Sequence, residues 1–212
     1  MKTQLSNRFF SALALTAIVL SGCSTPDVLR EPEKIPSLVT SYEVPGLRSH
    51  AGDVPVILDL SECVEMAALS SSGFSGRTSI AGRFPVRELV RREFNKVISG
   101  NFRTTLPDEH PKLVLEVRSE RVQVSRSWSK VKCHMTFSVR IVDPESTDRK
   151  PYFSRTYEMV SDGMQKNKEE VPVCVYEEVQ NLAKRFLADL PREQNGTLLT
   201  RLKEMGVSIE EH

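Results

Sequence analysis

The chain has 212 residues, with 29 Lys and Arg against 28 Asp and Glu, so its formal net charge is only +1. This balance excludes the strong positive field typical of proteins that wrap nucleic acid, and we expect no nucleic-acid partner. The length suits one domain with a single hydrophobic core and a linker.

The first 22 residues have the order of charges and apolar residues that is typical of a secretory signal peptide. Lys2 and Arg8 are followed by an uncharged, largely apolar run that ends at residue 20. That run is shorter than the roughly 20 residues that a membrane-spanning helix needs, which favours a cleaved export signal. Its removal lowers the count of Lys and Arg from 29 to 27 and leaves 190 residues with a net charge of −1.

The residues at the end of this signal resemble the bacterial lipobox, in which small residues precede a cysteine. Leu20-Ser21-Gly22-Cys23 fits the motif, and the alternative is an ordinary signal peptide that happens to contain a cysteine. The resemblance implies cleavage between Gly22 and Cys23, with a diacylglyceryl group on the Cys23 sulfur and a further acyl chain on its amine. Several acyl chains together hold a protein firmly on a bilayer, so we expect attachment to a membrane through this lipid.

The residues after the cysteine predict which membrane holds the protein. Ser24-Thr25 stand where lipoproteins retained in the inner membrane often carry Asp. We therefore expect the outer membrane, with the domain facing the periplasm, and the inner membrane is the less favoured alternative.

Residues 23–53 are predicted to form the lipidated cysteine and a proline-rich tether, since prolines and charges are interleaved there without a sustained apolar period. Such a segment holds a folded domain away from the bilayer. It need not be extended throughout, because four side chains could dock on the domain: Leu38, Val39, Tyr42 and Val44.

A single folded domain is predicted at residues 54–191, followed by a polar C-terminal tail at 192–212. After a short strand at 54–60, the Ser- and Gly-rich stretch 61–83 predicts a mobile loop. Apolar spacing then predicts, in order, a helix at 86–99, a strand at 112–124 with a bulge near 119–121, strands at 131–141 and 152–160, and a helix at 171–190. The order β-α-β-β-β-α indicates an α+β fold with a small antiparallel-rich sheet and two helices packed on one face.

Three cysteines remain once Cys23 is acylated, in a compartment that permits disulfides. An odd number allows at most one bridge within the chain and leaves one thiol over or paired to another chain. Cys133 lies on the apolar side of an alternating strand, where a small buried hydrophobic residue is the expected role. Cys63 and Cys174 are therefore the candidates for a bridge, and the spacings of the three cysteines resemble no metal motif.

The sequence offers no convincing catalytic or metal site, and we expect a protein without enzymatic activity or cofactor. The four histidines are scattered, without a partner three or four residues away. Ser127 and Lys130 fit the S-x-x-K pattern of penicillin-interacting serine enzymes, but that pattern needs a helix start and two further motifs that are missing. The sequence also lacks a phosphate-binding loop, a dinucleotide fingerprint and a metalloprotease helix.

Two basic surfaces could bind a partner. Residues 112–132 carry six Lys or Arg against two Glu, and the only tryptophan lies at the tip of a predicted hairpin. A tryptophan flanked by cations suits a phosphorylated glycolipid, an anionic lipid headgroup or a partner protein; the alternative is a solvated hairpin whose tryptophan folds back onto the sheet. The second surface is the arginine-rich face of the first long helix, where a solvated face is the alternative. The hairpin residues singled out are Trp128, Arg126, Lys130 and Arg121.

The lipobox, the proline-bearing tether and the order of elements together resemble small envelope lipoproteins over residues 20–190. The groups concerned are the lipopolysaccharide-assembly lipoprotein, the auxiliary lipoproteins of ABC-type lipid transport systems and the YajG-like lipoproteins. The resemblance implies a protein that binds a protein partner, a lipid or a glycolipid in the envelope and assists assembly or transport without chemistry. The alternatives are a hydrolase or sensor acting on cell-wall material, and a structural component that self-associates through an exposed strand edge.

Overall fold

The computed structural model describes residues 42–44, 47–72, 78–127, 130–146, 151–164, 170–190, 200 and 202. Its elements are α1 (Leu47–Ala51), β1 (Pro55–Asp59), β2 (Ala67–Ser72), β3 (Thr78–Phe84), α2 (Val86–Asn101), β4 (Arg103–Thr104), β5 (Leu113–Arg126), β6 (Lys130–Val142), β7 (Phe153–Met164) and α3 (Glu170–Asp189). The predicted signal peptide, the lipobox, residues 24–41 of the tether and nearly all of the predicted tail lie outside the described residues. Within the described residues, no helix combines the length and the apolar character needed to cross a membrane.

The seven strands form one curled, mixed sheet organised around β5. β6 pairs with β5 along nearly its whole length, and β7 pairs with β6, both in the antiparallel direction. The opposite edge of β5 is shared by two strands, because β1 pairs with its first residues and β2 with its last, both in the parallel direction. β4 extends the sheet beyond β1 in parallel, and β3 extends it beyond β2 in antiparallel register.

The prediction of an antiparallel-rich sheet is wrong, since three of the six strand pairings in the described part of the chain are parallel. β5, β6 and β7 alternate clearly and follow each other along the chain, which is the pattern that an antiparallel meander leaves in a sequence. The parallel pairs leave no such local pattern, because each joins strands that are distant in the chain. The prediction of a single α+β domain with two long helices is confirmed.

The stretch 61–83, predicted as a mobile loop, contains a β-hairpin. β2 and β3 pair along their lengths in antiparallel register, and Ala67, Leu69 and Phe84 are buried in the core. Serine is not among the residues enriched in strands, so the composition of this stretch hides the hairpin. Its stability comes from pairing with β5 and from these buried side chains.

The connection between β1 and β2 returns to the sheet at the bulge of β5. The Ser119 amide donates to the Glu62 carbonyl at 3.3 Å, and the Val64 amide donates to Ser119 Oγ at 2.7 Å. The predicted bulge is confirmed by the shift of register between Ser119 and Arg121. The connection therefore occupies the part of the β5 edge that neither β1 nor β2 covers.

The two long helices close the core over the sheet. α2 packs on β1 and β4, α3 packs on β6 and β7, and the two helices contact each other. The Phe186 ring lies 5.7 Å from the Phe94 ring and 5.3 Å from the Phe153 ring, measured between centroids. All three rings are almost fully buried, so they join α2, α3 and β7 through large apolar contacts.

The last part of the predicted tether is docked on α2. Tyr42 is only 5% exposed, and its hydroxyl donates to Glu93 Oε2 at 2.8 Å. Asn101 donates from Nδ2 to the Tyr42 carbonyl and accepts, at Oδ1, from the Val44 amide at 2.8 Å. The packed part of the chain thus includes residues 42–44, ahead of the predicted domain start at residue 54.

Burial and the hydrogen bond to Glu93 raise the pKa of Tyr42 well above its usual range, so the phenol remains a donor. Tyr42 and Val44, two of the four predicted docking residues, pack on the domain. The other two, Leu38 and Val39, lie outside the described residues. The docked segment therefore begins no later than Tyr42.

Replacing Gly100 tests this docking. A Cβ atom on Gly100 would overlap the Tyr42 carbonyl oxygen, so Gly100→Ala displaces the docked segment or strains α2. We expect the free energy of unfolding, measured by urea denaturation, to fall by about 1–3 kcal/mol, the usual cost of overpacking. Ser99→Ala, at an exposed position of the same turn, is the matched control and should change stability by less than about 0.5 kcal/mol. Equal stability of the two variants would contradict the docking.

Candidate functional site

The two ends of the sheet differ in what they hold. The starts of β1 and β5 lie together, since Val56 pairs with Leu113, and the docked tether reaches Asn101 beside β4 at this end. We call it the tether end. The ends of β2 and β5 and the start of β6 lie together at Arg126, and we call this the distal end. At about 3.3 Å per residue, the 14 residues of β5 give the strand between these ends a length of roughly 40 Å along the chain.

The predicted basic hairpin lies at the distal end. Arg126 and Lys130 flank its turn, which is closed by the Ser127 amide donating to the Lys130 carbonyl at 2.9 Å. Lys130 is exposed and Arg126 is half-buried. Arg121 lies five residues back along β5, with Nη1 3.5 Å from His134 Nδ1. The structure therefore brings together Arg126 and Lys130 and places Arg121 apart from them.

Trp128, the fourth predicted binding residue, lies outside the described residues. Its place in the sequence, between Ser127 and Lys130, puts it within the connection between β5 and β6. The predicted hairpin itself is confirmed by the antiparallel pairing of these strands, which extends to Arg126 and Val131. The distal end is thus defined by its two flanking cations.

The first half of the basic stretch 112–132 is neutralised on the polar face of the sheet. Glu116 accepts from Arg118 at 3.0 Å and from Arg140 at 3.2 Å, and Arg118 also pairs with Glu62 at 2.9 Å. Glu116 is only 13% exposed in these pairs, and the two glutamates balance the charge of the two arginines locally. Apart from Lys112 at the tether end, the remaining cations of the stretch lie towards the distal end.

A groove of about 430 Å³ lies between α2 and β1. The sequence predicts the polar face of α2 but not a groove beside it. Arg87, Arg91 and Asn95 line one wall at helical spacing, which is the arginine-rich face noted in the sequence. Arg87 is engaged structurally, because its Nε and Nη2 donate to the Cys63 carbonyl at 2.9 and 2.6 Å. Thr105 lines the groove with a buried hydroxyl that has no hydrogen-bond partner within the described ranges. Arg91, the second arginine of this wall, is paired with Glu88 of the same helix.

The structure places the three cysteines in two locations. Cys174 Sγ lies 2.8 Å from Cys133 Sγ and 2.9 Å from Ser161 Oγ. Cys63 lies in the connection between β1 and β2, where burial raises the pKa of its thiol to about 11. The structure therefore does not bring together Cys63 and Cys174, the pair proposed from the sequence. It places Cys174 against Cys133, to which the sequence assigns only a packing role.

The described residues assemble no cluster of metal ligands. Across the described stretches of the chain, no group of three His, Cys, Asp or Glu side chains could hold a metal ion. Ser127 and Lys130, which match S-x-x-K, lie across a hairpin turn and not one turn apart on a helix. That placement lacks the helix start that the serine-enzyme pattern requires.

Comparison with known proteins shows a shared fold. No family model matches the chain, and no curated protein matches its sequence. The structure is similar to protein XCC0632 from Xanthomonas campestris, of the family DUF330, with a TM-score of 0.51 and 10% identity, covering 71% of this chain and 89% of that one. At 10% identity this likeness concerns the fold alone. A weaker likeness, with a TM-score of 0.41 and 10% identity over 72% of this chain and 94% of the other, relates it to a protein from Caulobacter crescentus CB15 that is provisionally described as a lipoprotein.

Proposed function

We propose that the chain is a lipid-anchored, non-catalytic lipoprotein of the bacterial envelope that binds a partner and assists assembly or transport. The lipobox supports the anchor, since acyl chains on Cys23 would hold the protein on a bilayer without a spanning helix. Ser24-Thr25 favour the outer membrane with the domain facing the periplasm. A membrane lipid or glycolipid and an envelope protein are the partners that fit this location.

One observation carries the binding role: the basic hairpin and the docked tether lie at opposite ends of the sheet. A domain held at its tether end presents Arg126 and Lys130 at the other end of β5, a strand roughly 40 Å long along the chain. Each cation near an anionic surface contributes about 1 kcal/mol of attraction. The hairpin is therefore suited to an anionic group presented by a partner beyond the anchoring bilayer.

The anchor is tested by replacing the lipobox cysteine. We expect Cys23→Ala to abolish labelling of the chain with radioactive palmitate and to move it out of the detergent-rich phase in Triton X-114 partitioning. Cys63→Ala is the matched control, because a buried thiol in the β1–β2 connection takes no acyl chain, and it should keep both label and partitioning. Palmitate labelling that survives in Cys23→Ala would rule out the lipobox interpretation.

The binding role is tested by reversing charges at the two ends of β5. An unlipidated form that starts at Ser24 is floated with vesicles of phosphatidylethanolamine, with and without phosphatidylglycerol, and the lipidated chain is cross-linked in intact cells. If the partner is an anionic lipid, we expect the double variant Arg126→Glu with Lys130→Glu to weaken vesicle binding by at least about tenfold, since four units of charge change. If the partner is a protein, the yield of one stoichiometric cross-linked product should fall by at least about tenfold for the same reason.

The matched control for that experiment is Lys112→Glu, an exposed cation immediately before β5 at the tether end. It should leave both measurements within about twofold of the wild type, because surface charges separated by more than about 10 Å are largely screened at 0.1 M salt. If the double variant and Lys112→Glu behave alike, the distal hairpin is not the binding surface.

A further inference from the structure

Two thiols on different elements meet under α3. Cys133 lies on β6 and is fully buried, and Cys174 lies on α3 and is half-buried. Their sulfurs are 2.8 Å apart. The sulfurs of a disulfide are separated by about 2.05 Å, so a displacement of less than about 1 Å would bring them to bonding distance.

We infer that Cys133 and Cys174 form a disulfide bond that ties α3 to β6 in the exported protein. This inference goes beyond the proposed binding role but rests on its export step, since disulfides persist in the periplasm and not in a reducing cytosol. The bond closes a loop that contains the whole of β7. It therefore joins the second long helix covalently to the central antiparallel strands.

The reaction needs a disulfide-bearing oxidant, such as a protein dithiol oxidase or glutathione disulfide. The Cys174 thiolate attacks one sulfur of the oxidant, which forms a mixed disulfide and releases the other oxidant sulfur as a thiolate. Cys133 then loses its proton, and its sulfur attacks Cys174 Sγ and displaces the second oxidant thiolate. Two protein thiols are oxidised, and one oxidant disulfide is reduced to two thiols.

The surroundings assign these two steps to the two cysteines. Cys174 is the half-buried partner, so an oxidant can reach it, whereas Cys133 has no exposed surface. Hydrogen bonding with Cys133 and Ser161 lowers the pKa of Cys174. The hydrogen bond to Cys174 and burial raise the pKa of Cys133. Cys174 is therefore the attacking thiolate and Cys133 the resolving thiol.

The bridge also assigns a state to each of the four cysteines. Cys63 lies in the β1–β2 connection with 1% exposure, and burial holds its pKa near 11. A thiol that is buried and protonated at neutral pH reacts slowly. With Cys23 acylated and Cys133 joined to Cys174, Cys63 is the thiol that remains, and it is protected from exchange with the bridge.

Peptide mapping of the full chain tests the inference. The chain is produced with its own signal in a Gram-negative host, extracted in detergent, treated with N-ethylmaleimide without reductant and digested with trypsin. We expect the peptide 133–140 linked to the peptide 169–184, and the peptide 49–77 with Cys63 carrying the maleimide after denaturation. Reduction should lower the Tm by roughly 5–10 °C.

Two variants serve as controls. Cys63→Ser should keep the linked peptides, and Cys174→Ser should leave Cys133 modified by maleimide in the denatured sample. Maleimide on both Cys133 and Cys174 after incubation of the reduced, purified chain with glutathione disulfide would overturn the inference, as would a link from Cys174 to Cys63. If glutathione disulfide forms the bridge in the purified chain but cells yield only thiols, the pairing is supported and the proposed export is contradicted.

Discussion

Glu93 is the point on which the attachment of the tether to the domain depends. It is a carboxylate with 1% exposure on α2, and it accepts from the Tyr42 hydroxyl at 2.8 Å and from Lys96 Nζ at 2.9 Å, with Arg92 Nε 3.3 Å away. A buried carboxylate lowers the stability of the fold unless it is paired and hydrogen-bonded. Losing the contact to Tyr42, Lys96 or Arg92 would therefore cost free energy. Arg92 also stacks over the Tyr176 ring of α3 at 4.9 Å. Glu93 on α2 thus binds the tether through Tyr42, and its neighbour Arg92 extends the contact to α3.

This attachment fixes which end of the sheet lies next to the tether. Because residues 42–44 are held at Glu93 and Asn101, the chain enters the domain at the tether end of the sheet. β5 then runs from that end to the basic hairpin, while its paired charges near Glu116 cancel the field along the middle. The fold therefore separates the attachment point from the proposed binding surface, and the bridge between Cys133 and Cys174 would hold α3 against β6 between them.

The local parts of the fold could be predicted from the sequence, and the long-range parts could not. The stripes of α2 and α3, the alternation of β6 and the bulge near Ser119 are visible in short windows, because each depends on neighbouring residues. The Ser-rich β2 depends on pairing with β5, and the parallel strands along the β5 edge join segments distant in the chain. Composition carries no signal for either.

The same division applies to individual side chains of the candidate site. The flanking cations Arg126 and Lys130 could be predicted, since a hairpin needs only its two strands and turn. Glu93 is a charged helix residue, a type that is mostly exposed, yet it is buried against Tyr42, which lies 51 residues away in the sequence. Cys174 meets Cys133 only because α3 crosses β6. An amphipathic stripe predicts that a helix packs but not which strand it crosses.

The docking of residues 42–44 is measured most directly by hydrogen exchange at the Val44 amide in the full chain. The amide donates to Asn101 Oδ1, so it should exchange far more slowly than an amide of an unstructured tether. Asn101→Ala should restore fast exchange at Val44 while the β6 amides stay protected. Exchange of the wild-type Val44 amide at the unprotected rate would contradict the account, because the tether would then not be fixed to the domain.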